Sequence, residues 1–148
     1  ASGTPYLDPK PKGSIIGINL DTNTEEIFKG LVEGLVFEIC FNINLSESSG
    51  VEIAELRAVG GGSKSDYELK LKACISNRPI LRMDIAEAGC LATMILAGIG
   101  TGKFTLSEAV SKFIKVKDEF YPDSKIRERY LDKFEKYKEI YGLVSKLF

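Results

Sequence analysis

The hydrophobic residues of the first half recur with helical spacing. Between residues 27 and 43 every fourth position is apolar, which predicts a helix that ends near Leu45. Thr22 and Glu25, three positions apart, have the spacing of a capping box at its start. A second apolar row, with Val36 and Cys40, widens the stripe. We therefore expect this helix to be buried on more than one side.

Two short apolar runs in the middle of the chain predict buried strands. The run "ELRAV" ends at Gly60, and the run "RPILRM" carries Pro79 at its start, where a strand tolerates proline. Between the two runs, Ser65 and Glu68 have capping-box spacing and predict a helix through about Ser76. The three glycines at positions 60–62 are therefore expected at a strand-to-helix turn.

The second half is predicted to contain three more helices. Apolar residues cover nearly the whole circumference of residues 85–97, a pattern typical of a central, buried helix. Thr105 and Glu108 form a third capping box, which predicts the next helix. After Pro122, the C-terminal helix at 124–148 carries an aromatic stripe that we interpret as core packing.

The N-terminal segment differs from the rest of the chain. Residues 1–22 hold three of the five prolines and several glycines, which predicts an extended arm with a short strand at 15–19. The remaining alternation of helices and strands indicates an α/β fold. Two clear strands are few, because sheets average about five to six strands. Either the hydrophobic pattern misses strands, or the chain is part of a larger sheet whose other strands lie upstream. We expect an incomplete domain with few strands and about five helices.

Composition excludes several classes of function. The 148 residues are 44% apolar and 28% charged with a net charge of -1, which argues against a disordered chain and against a basic surface for nucleic acid. The longest apolar-rich stretch is too short to cross a bilayer. We therefore expect a cytoplasmic protein that binds neither nucleic acid nor membrane. The three cysteines, Cys40, Cys74 and Cys90, are odd in number and are interpreted as reduced core residues.

No catalytic set of residues can be assembled from this chain. It contains no histidine, which excludes Ser-His-Asp and Cys-His nucleophile systems and most zinc sites. Glu33, Glu38 and Glu87 are interpreted as helix-end or surface charges, because nothing pairs them as an acid and a base. We assign no catalytic residue and no metal ligand.

The glycine turn is the strongest candidate for a binding site. Such a turn lets backbone N–H groups approach a phosphate or a flat ring, and the helix N-terminus adds partial positive charge. A Walker loop fails at Ala58 and Ser63, where that motif requires glycine. The dinucleotide fingerprint fits Gly60 and Gly62 but has Ser65 at its third glycine. A turn that only packs strand against helix remains an equal alternative.

A second glycine cluster, Gly98, Gly100 and Gly102 before Lys103, also fails the Walker pattern. We interpret it as a helix C-cap followed by a loop.

Several blocks together resemble the C-terminal part of the FGGY carbohydrate kinases, the family of glycerol kinase, xylulokinase and gluconokinase. They are "GTPYLDPKPKGSIIGINL", "EEIFKGLVEGLVFEI", "LRAVGGGSKSDYELKLKA", "RPI", "EAGCLATMILAGIGTGKF", "LSEAV" and "FYPD". These blocks occur in family order and cover nearly all of residues 1–148. The resemblance implies a ribonuclease H-like, actin-like ATPase C-terminal domain.

The resemblance also implies a site and its ligands. In that family two domains close around a sugar and ATP with Mg²⁺, and the segment "GGGSKSD" corresponds to the adenosine-side loop. Gly60, Gly61, Gly62 and Ser63 would then line the nucleotide, and Asp66 would lie near the adenine or ribose. Glycerol kinases have Asn at the position of Asp66, so the adenine contact is expected to differ in detail.

The family's catalytic Asp, its sugar-binding residues and its phosphate loops match nothing in this chain. We therefore expect the nucleotide-side part of a longer ATP-dependent sugar kinase, closest to xylulokinase-like members, with the sugar bound mainly by an N-terminal domain. Alone, this part is expected to be inactive and to self-associate as a homo-oligomer through exposed apolar surface. The alternatives are a non-catalytic α/β binding or assembly module and a Rossmann-like dinucleotide binder.

Overall fold

The computed structural model describes residues 4–10, 12–85 and 87–147. Within these ranges the helices are α1 (Thr24–Ser48), α2 (Asp66–Ser76), α3 (Ala88–Gly100), α4 (Leu106–Phe113) and α5 (Ser124–Val144). The strands are β1 (Leu56–Ala58), β2 (Ile80–Met83) and β3 (Val116–Phe120). Short 3₁₀ segments occupy Gly61–Ser63 and Ser145–Leu147. The prediction of an α/β fold with few strands and about five helices is confirmed.

The three strands form one sheet in the order β1-β2-β3. β1 and β2 are parallel, with Leu56 opposite Ile80, and α2 is the crossover between them, as the sequence predicts. β3 runs antiparallel to β2. The hydrophobic pattern does not predict β3, because its sequence "VKDEF" has charged residues at its three inner positions and is mostly exposed.

Capping boxes are present at the starts of α1 and α4. α1 begins one residue later than predicted: the Glu26 N–H donates to Asn23 Oδ1 at 2.9 Å, and the Asn23 N–H donates to Glu26 Oε2 at 3.1 Å. Thr22 lies in the preceding loop. The box of Thr105 and Glu108 is confirmed, with both reciprocal hydrogen bonds formed at the start of α4.

α2 is the central helix of the core, because it contributes to both apolar clusters. The first cluster joins α1, α2 and α5 through Val36, Phe37, Cys40, Leu71, Ile75 and Phe134. The second joins α2 to the sheet through Leu69, Ala73 and Ile80. The aromatic stripe of α5 packs on the first cluster, which confirms its interpretation as core packing.

The prediction of a central, buried helix at residues 85–97 is wrong for the described chain. α3 starts at Ala88, and within it Ile95 and Gly98 are buried whereas Met94 and Leu96 are 43% and 68% exposed. The main contacts of α3 within the described residues are with α4, so most of its circumference stays uncovered. Ala86 lies outside the described residues.

α1 buries only one part of the predicted stripe, which includes Val36 and Cys40. Leu31, Leu35 and Ile39 are exposed, whereas Val36 and Cys40 are fully buried against α2 and α5. A four-residue spacing drifts around a helix that has 3.6 residues per turn, so the predicted row does not stay on one side. The expectation that α1 is buried on more than one side is therefore also wrong in this chain.

The predicted arm is described except for residues 1–3 and 11. The strand predicted at 15–19 is absent from the described structure, where Ile15 and Ile16 are more than half exposed and pair with no strand. The Tyr6 ring stacks on Tyr141 with centroids 3.6 Å apart, so the arm reaches α5. At the other end α5 stops at Val144, and residue 148 lies outside the described residues.

Candidate functional site

The glycine segment forms the strand-to-helix turn that the sequence predicts. β1 ends at Ala58 and α2 begins at Asp66. Gly60 has φ +75° and ψ -162°, a backbone region that is essentially restricted to glycine. A 3₁₀ turn over Gly61–Ser63 follows and leads into the helix. At Gly60, therefore, the local backbone itself requires glycine.

Hydrogen bonds within the turn hold its shape. The Ser63 N–H and the Ser63 hydroxyl both donate to the Gly60 carbonyl, at 3.2 and 2.8 Å, and the Lys64 N–H donates to the Gly61 carbonyl at 3.1 Å. Ser63 is buried. The bonds that close the turn use the N–H groups of Ser63 and Lys64, and not those of Gly61 and Gly62.

Open space lies over the glycine turn. A Cβ atom added to Gly60, Gly61 or Gly62 would meet no heavy atom within 4 Å in the described chain. Gly61 and Gly62 also lack a positive φ, so neither backbone conformation nor a close neighbour in this chain accounts for them. Packing of the strand against the helix does not explain the missing side chains, and the turn presents bare backbone on an open surface.

The start of α2 adds partial positive charge beside the turn. Ser65 is the N-cap, and its hydroxyl oxygen accepts from the Glu68 N–H at 3.3 Å. The Glu68 carboxylate accepts from Lys72 at 3.3 Å along the helix. The structure therefore contains the Ser65 half of the predicted capping box.

Asp66, the first residue of α2, is 77% exposed at its side chain, and its carboxylate forms an ion pair with Arg82 of β2. Arg82 Nε also lies 3.1 Å from Asp118 Oδ2 on β3, and the guanidinium lies over the Phe120 ring, 5.0 Å from its centroid. The structure thus places Asp66 at the end of the glycine turn with its charge already paired. Its predicted contact with a nucleotide base or ribose stays a prediction.

Glu33 was interpreted as a helix-end or surface charge, and this interpretation is wrong. Glu33 is 6% exposed, and its Oε1 accepts from the Tyr130 hydroxyl at 2.6 Å and from the Tyr67 hydroxyl at 3.3 Å. Burial and the bond to Glu33 raise the pKa of Tyr130, which remains a neutral donor. Glu33 lies four residues before Phe37 and therefore on the same side of α1. Extending the buried side of the helix back by one turn from Phe37 could have identified Glu33 as buried.

The other two acids also have specific places. Glu38 is partly buried, and its Oε2 accepts from the Tyr137 hydroxyl at 2.6 Å. Burial, followed by this hydrogen bond, raises the pKa of Tyr137. Glu87 is the N-cap residue of α3, without a side-chain cap, as expected for a helix-end charge.

The second glycine cluster is a helix C-cap, as predicted. The Lys103 N–H donates to the Gly98 carbonyl at 2.9 Å and the Gly102 N–H donates to the Ile99 carbonyl at 3.0 Å, the pattern of a Schellman motif. Gly102 has φ +69°, as the motif requires. Gly98 packs under the Phe104 ring, where an added Cβ would lie 2.1 Å from Cζ.

The three cysteines are free thiols, and two of them are buried. Cys40 and Cys74 are buried and free, whereas Cys90 on α3 is free and exposed, so its interpretation as a core residue is wrong. Burial raises the pKa of the Cys40 thiol to about 12, which makes it a poor nucleophile.

Among residues 4–10, 12–85 and 87–147 there is no group of three acidic, histidine or cysteine side chains placed to hold a metal ion. None of the helices in these ranges combines the length and apolarity needed to span a bilayer.

Comparison with known proteins places this geometry in context. A family profile described as "FGGY family of carbohydrate kinases, C-terminal domain" matches residues 1–101. The chain is 30% identical to xylulose kinase of Bacillus subtilis over 139 residues, which are 93% of this chain. It is 34% identical to glycerol kinase of Mycoplasmopsis pulmonis over 121 residues, which are 81% of this chain and 24% of that protein.

A solved structure gives the same result. Xylulose kinase from Lactobacillus acidophilus superposes with a TM-score of 0.80 at 28% identity, over 96% of this chain and 29% of that one. The chain spans 28% of the length of the Bacillus subtilis relative.

Proposed function

Because this chain belongs to the FGGY family of carbohydrate kinases, we propose that it forms the nucleotide-side part of an ATP-dependent sugar kinase. In this proposal the turn at residues 60–63 lies against ATP, and Asp66 lies near the adenine or ribose. The reaction is phosphoryl transfer from ATP to a hydroxyl group of a sugar or polyol. Such transfer depends mostly on positioning and electrostatic stabilisation, and this chain would position one end of the nucleotide.

One observation carries the proposal: the open space over Gly61 and Gly62. Gly61 and Gly62 neither adopt a positive φ nor approach a neighbour, and, unlike the open glycines Gly100 and Gly142, they are consecutive and lie shortly before the start of a helix. A ligand that comes close to the backbone at that helix start would account for both. The start of α2 beside the turn favours an anionic ligand, because a helix N-terminus carries partial positive charge.

The proposed roles follow from where the residues lie. Gly60 gives the turn its direction, and Gly61 and Gly62 present bare backbone to the nucleotide. Ser63 would keep the turn in shape, because its hydroxyl donates a hydrogen bond to the Gly60 carbonyl. Asp66 would approach the adenosine while its ion pair with Arg82 fixes its direction. ATP supplies the phosphoryl group, and no ligand of Mg²⁺ is assigned to the described residues.

A xylulose-like sugar is the favoured substrate. The relative from Bacillus subtilis and the solved structure from Lactobacillus acidophilus are both xylulose kinases. The sugar would be held mainly by an N-terminal domain. The 148-residue chain alone is therefore expected to show no turnover and only weak affinity for ATP, because most phosphate contacts and domain closure would be missing.

A second candidate is a non-catalytic binding or assembly module. The apolar side chains that α1 and α3 expose, among them Leu31, Leu35 and Leu96, favour association with other polypeptide or with a second copy of this chain. This candidate predicts that substitutions in the glycine turn leave nucleotide affinity unchanged.

The two candidates are separated by Gly62→Val in the intact protein, with ADP affinity measured by calorimetry and stability by thermal unfolding. The added side chain would occupy the open space, so affinity is expected to fall at least about ten-fold, a loss of about 1.4 kcal/mol. The melting temperature should change little, because no neighbour is displaced.

Gly142→Val is the matched control. It adds the same atoms to another glycine that has no neighbour within 4 Å, on α5 and away from the turn. ADP affinity should stay at the wild-type value. Unchanged affinity in Gly62→Val would contradict the kinase proposal and favour the binding module.

A further inference from the structure

Among the buried residues of the described chain, Glu33 is the only one that is charged. A buried carboxylate is costly unless it is hydrogen-bonded or paired. Glu33 Oε1 accepts from Tyr130 and Tyr67, whose hydroxyl oxygens lie 3.3 Å apart. Lys29 Nζ is 3.5 Å from Oε1 and Lys133 Nζ is 3.8 Å from Oε2. One carboxylate thus connects side chains of α1, α2 and α5.

Through Tyr67 this network reaches the first turn of α2, directly after the glycine turn. Tyr67 is the second residue of α2 and the neighbour of Asp66. Asp66 is held from the sheet by Arg82, which also contacts Asp118. The start of α2 is therefore fixed from the helical layer by Glu33 and from the sheet by Arg82.

The glycine turn depends on such fixed ends. Glycines restrict their backbone less than other residues, and Gly61 and Gly62 have no side chains to anchor them. Inside the turn, the Ser63 hydroxyl is the one side chain that holds the backbone, through the Gly60 carbonyl. The direction in which the turn faces must then be set by β1 on one side and by the first turn of α2 on the other.

We propose that Glu33 is a positioning residue for the glycine turn, acting through Tyr67 on the start of α2 and tying it to α5 through Tyr130. This inference rests on the proposed function, because its consequence is a nucleotide affinity that depends on a carboxylate away from the turn. Glu33 touches no reacting group. It lowers the freedom of the backbone that the nucleotide approaches.

The chain offers a matched comparison. Tyr137 donates to Glu38 at 2.6 Å, as Tyr130 donates to Glu33, and both pairs connect α5 to α1. Within the described residues Glu38 and Tyr137 form no hydrogen bond to α2, whereas Glu33 also accepts from Tyr67 of α2. A general contribution of tyrosine–carboxylate hydrogen bonds to the order of the glycine turn should therefore appear in both pairs, and a positioning effect only in the Glu33 pair.

The test compares Tyr67→Phe with Tyr137→Phe in the intact protein. Both remove one hydroxyl and keep the ring. Amide hydrogen exchange of residues 61–68 is measured without nucleotide, and ADP affinity by calorimetry. For Tyr67→Phe we expect exchange in this segment to rise and ADP affinity to fall, each about three- to ten-fold, the effect of one hydrogen bond. For Tyr137→Phe we expect neither change, although thermal stability falls.

Glu33→Gln and Glu33→Ala complete the experiment. The Gln side chain keeps an oxygen that accepts from a tyrosine hydroxyl, so it should restore most of the slow exchange that Glu33→Ala loses. Equal exchange in the Tyr67→Phe and Tyr137→Phe proteins, or no rescue by Gln, would overturn the positioning role. A wild-type protein that binds no ADP would instead overturn the proposed function, while the exchange data still decide on Glu33.

Discussion

The two glycine segments of this chain have similar sequences and opposite surroundings. At the end of α3, Gly98 lies under the Phe104 ring and Gly102 has φ +69° in a Schellman motif. Before α2, Gly60 has φ +75°, but Gly61 and Gly62 have neither a positive φ nor an atom near the Cβ position. Gly98 and Gly102 in the segment after α3 are thus explained by the described chain, whereas in the segment before α2 only Gly60 is.

A glycine cluster can be assigned by the reason for each missing side chain. Where a neighbouring ring or a left-handed backbone requires glycine, the cluster is structural and needs no ligand. At Gly61 and Gly62, which are consecutive and lie shortly before the start of α2, both reasons are missing, and the proposed function explains them by a ligand that approaches the open backbone. The prediction that the cluster after α3 is a cap is confirmed, whereas nucleotide binding by the cluster before α2 is the proposal above.

The largest effect on stability is expected for Gly98→Val. An added Cβ would lie 2.1 Å from Phe104 Cζ, so the ring must leave its place beside Phe113, where the centroids are 5.8 Å apart. Overpacking of this kind costs about 1–3 kcal/mol, and we expect the upper end. The midpoint of urea unfolding measures the loss. In a Phe104→Ala background, Gly98→Val should lower the free energy of unfolding much less. An equal loss in that background would show that the clash with the ring is not the cause.

A smaller loss is expected for Gly60→Ala. The backbone at φ +75° and ψ -162° is strained for any residue with a Cβ, although no neighbour is struck, so the cost should be about 2 kcal/mol. Gly61→Ala is its control, because Gly61 lies in the same turn without a positive φ. Urea unfolding should show a clear loss for the first variant and almost none for the second. Equal losses would mean that something packs on the turn.

The smallest effect is expected for Gly100→Ala. Gly100 ends α3 two residues after Gly98, but its Cβ position is empty. Alanine favours a helix over glycine by up to about 1 kcal/mol, and less at a terminus, so stability should stay constant or rise slightly. Thermal unfolding measures this. A marked loss would show that α3 is covered by polypeptide other than the described residues.

The local features of the fold could be predicted from the sequence because they depend on neighbours along the chain. The strand-to-helix turn at 60–65, the cap at Thr105 and the aromatic stripe of α5 all follow from spacing within a few residues. The same holds for the C-cap at Gly102, where only glycine fits easily. Within the candidate site, the turn itself was predictable, and its ligand contacts remain predictions.

Features that depend on distant partners could not be predicted. α3 is the most apolar helix and yet is exposed, whereas α2 is buried on two faces because α1, α5 and the sheet all meet on it. β3 is a strand because β2 offers it hydrogen bonds, although its sequence "VKDEF" is polar. Which part of the wide apolar stripe of α1 becomes buried likewise depends on where α2 and α5 pack.

Where the chain turns, where most helices start and which backbone needs glycine could all be inferred from residues close in sequence, because φ restrictions and caps act between neighbours. The packing of the helices and the sheet is needed to bury Glu33 beside Tyr67 and Tyr130, to bring Asp66 to Arg82, and to leave the glycine turn uncovered by the described chain. The hydrogen bond between Glu33 and Tyr130 joins residues 97 positions apart, and that distance is closed only when the helices pack.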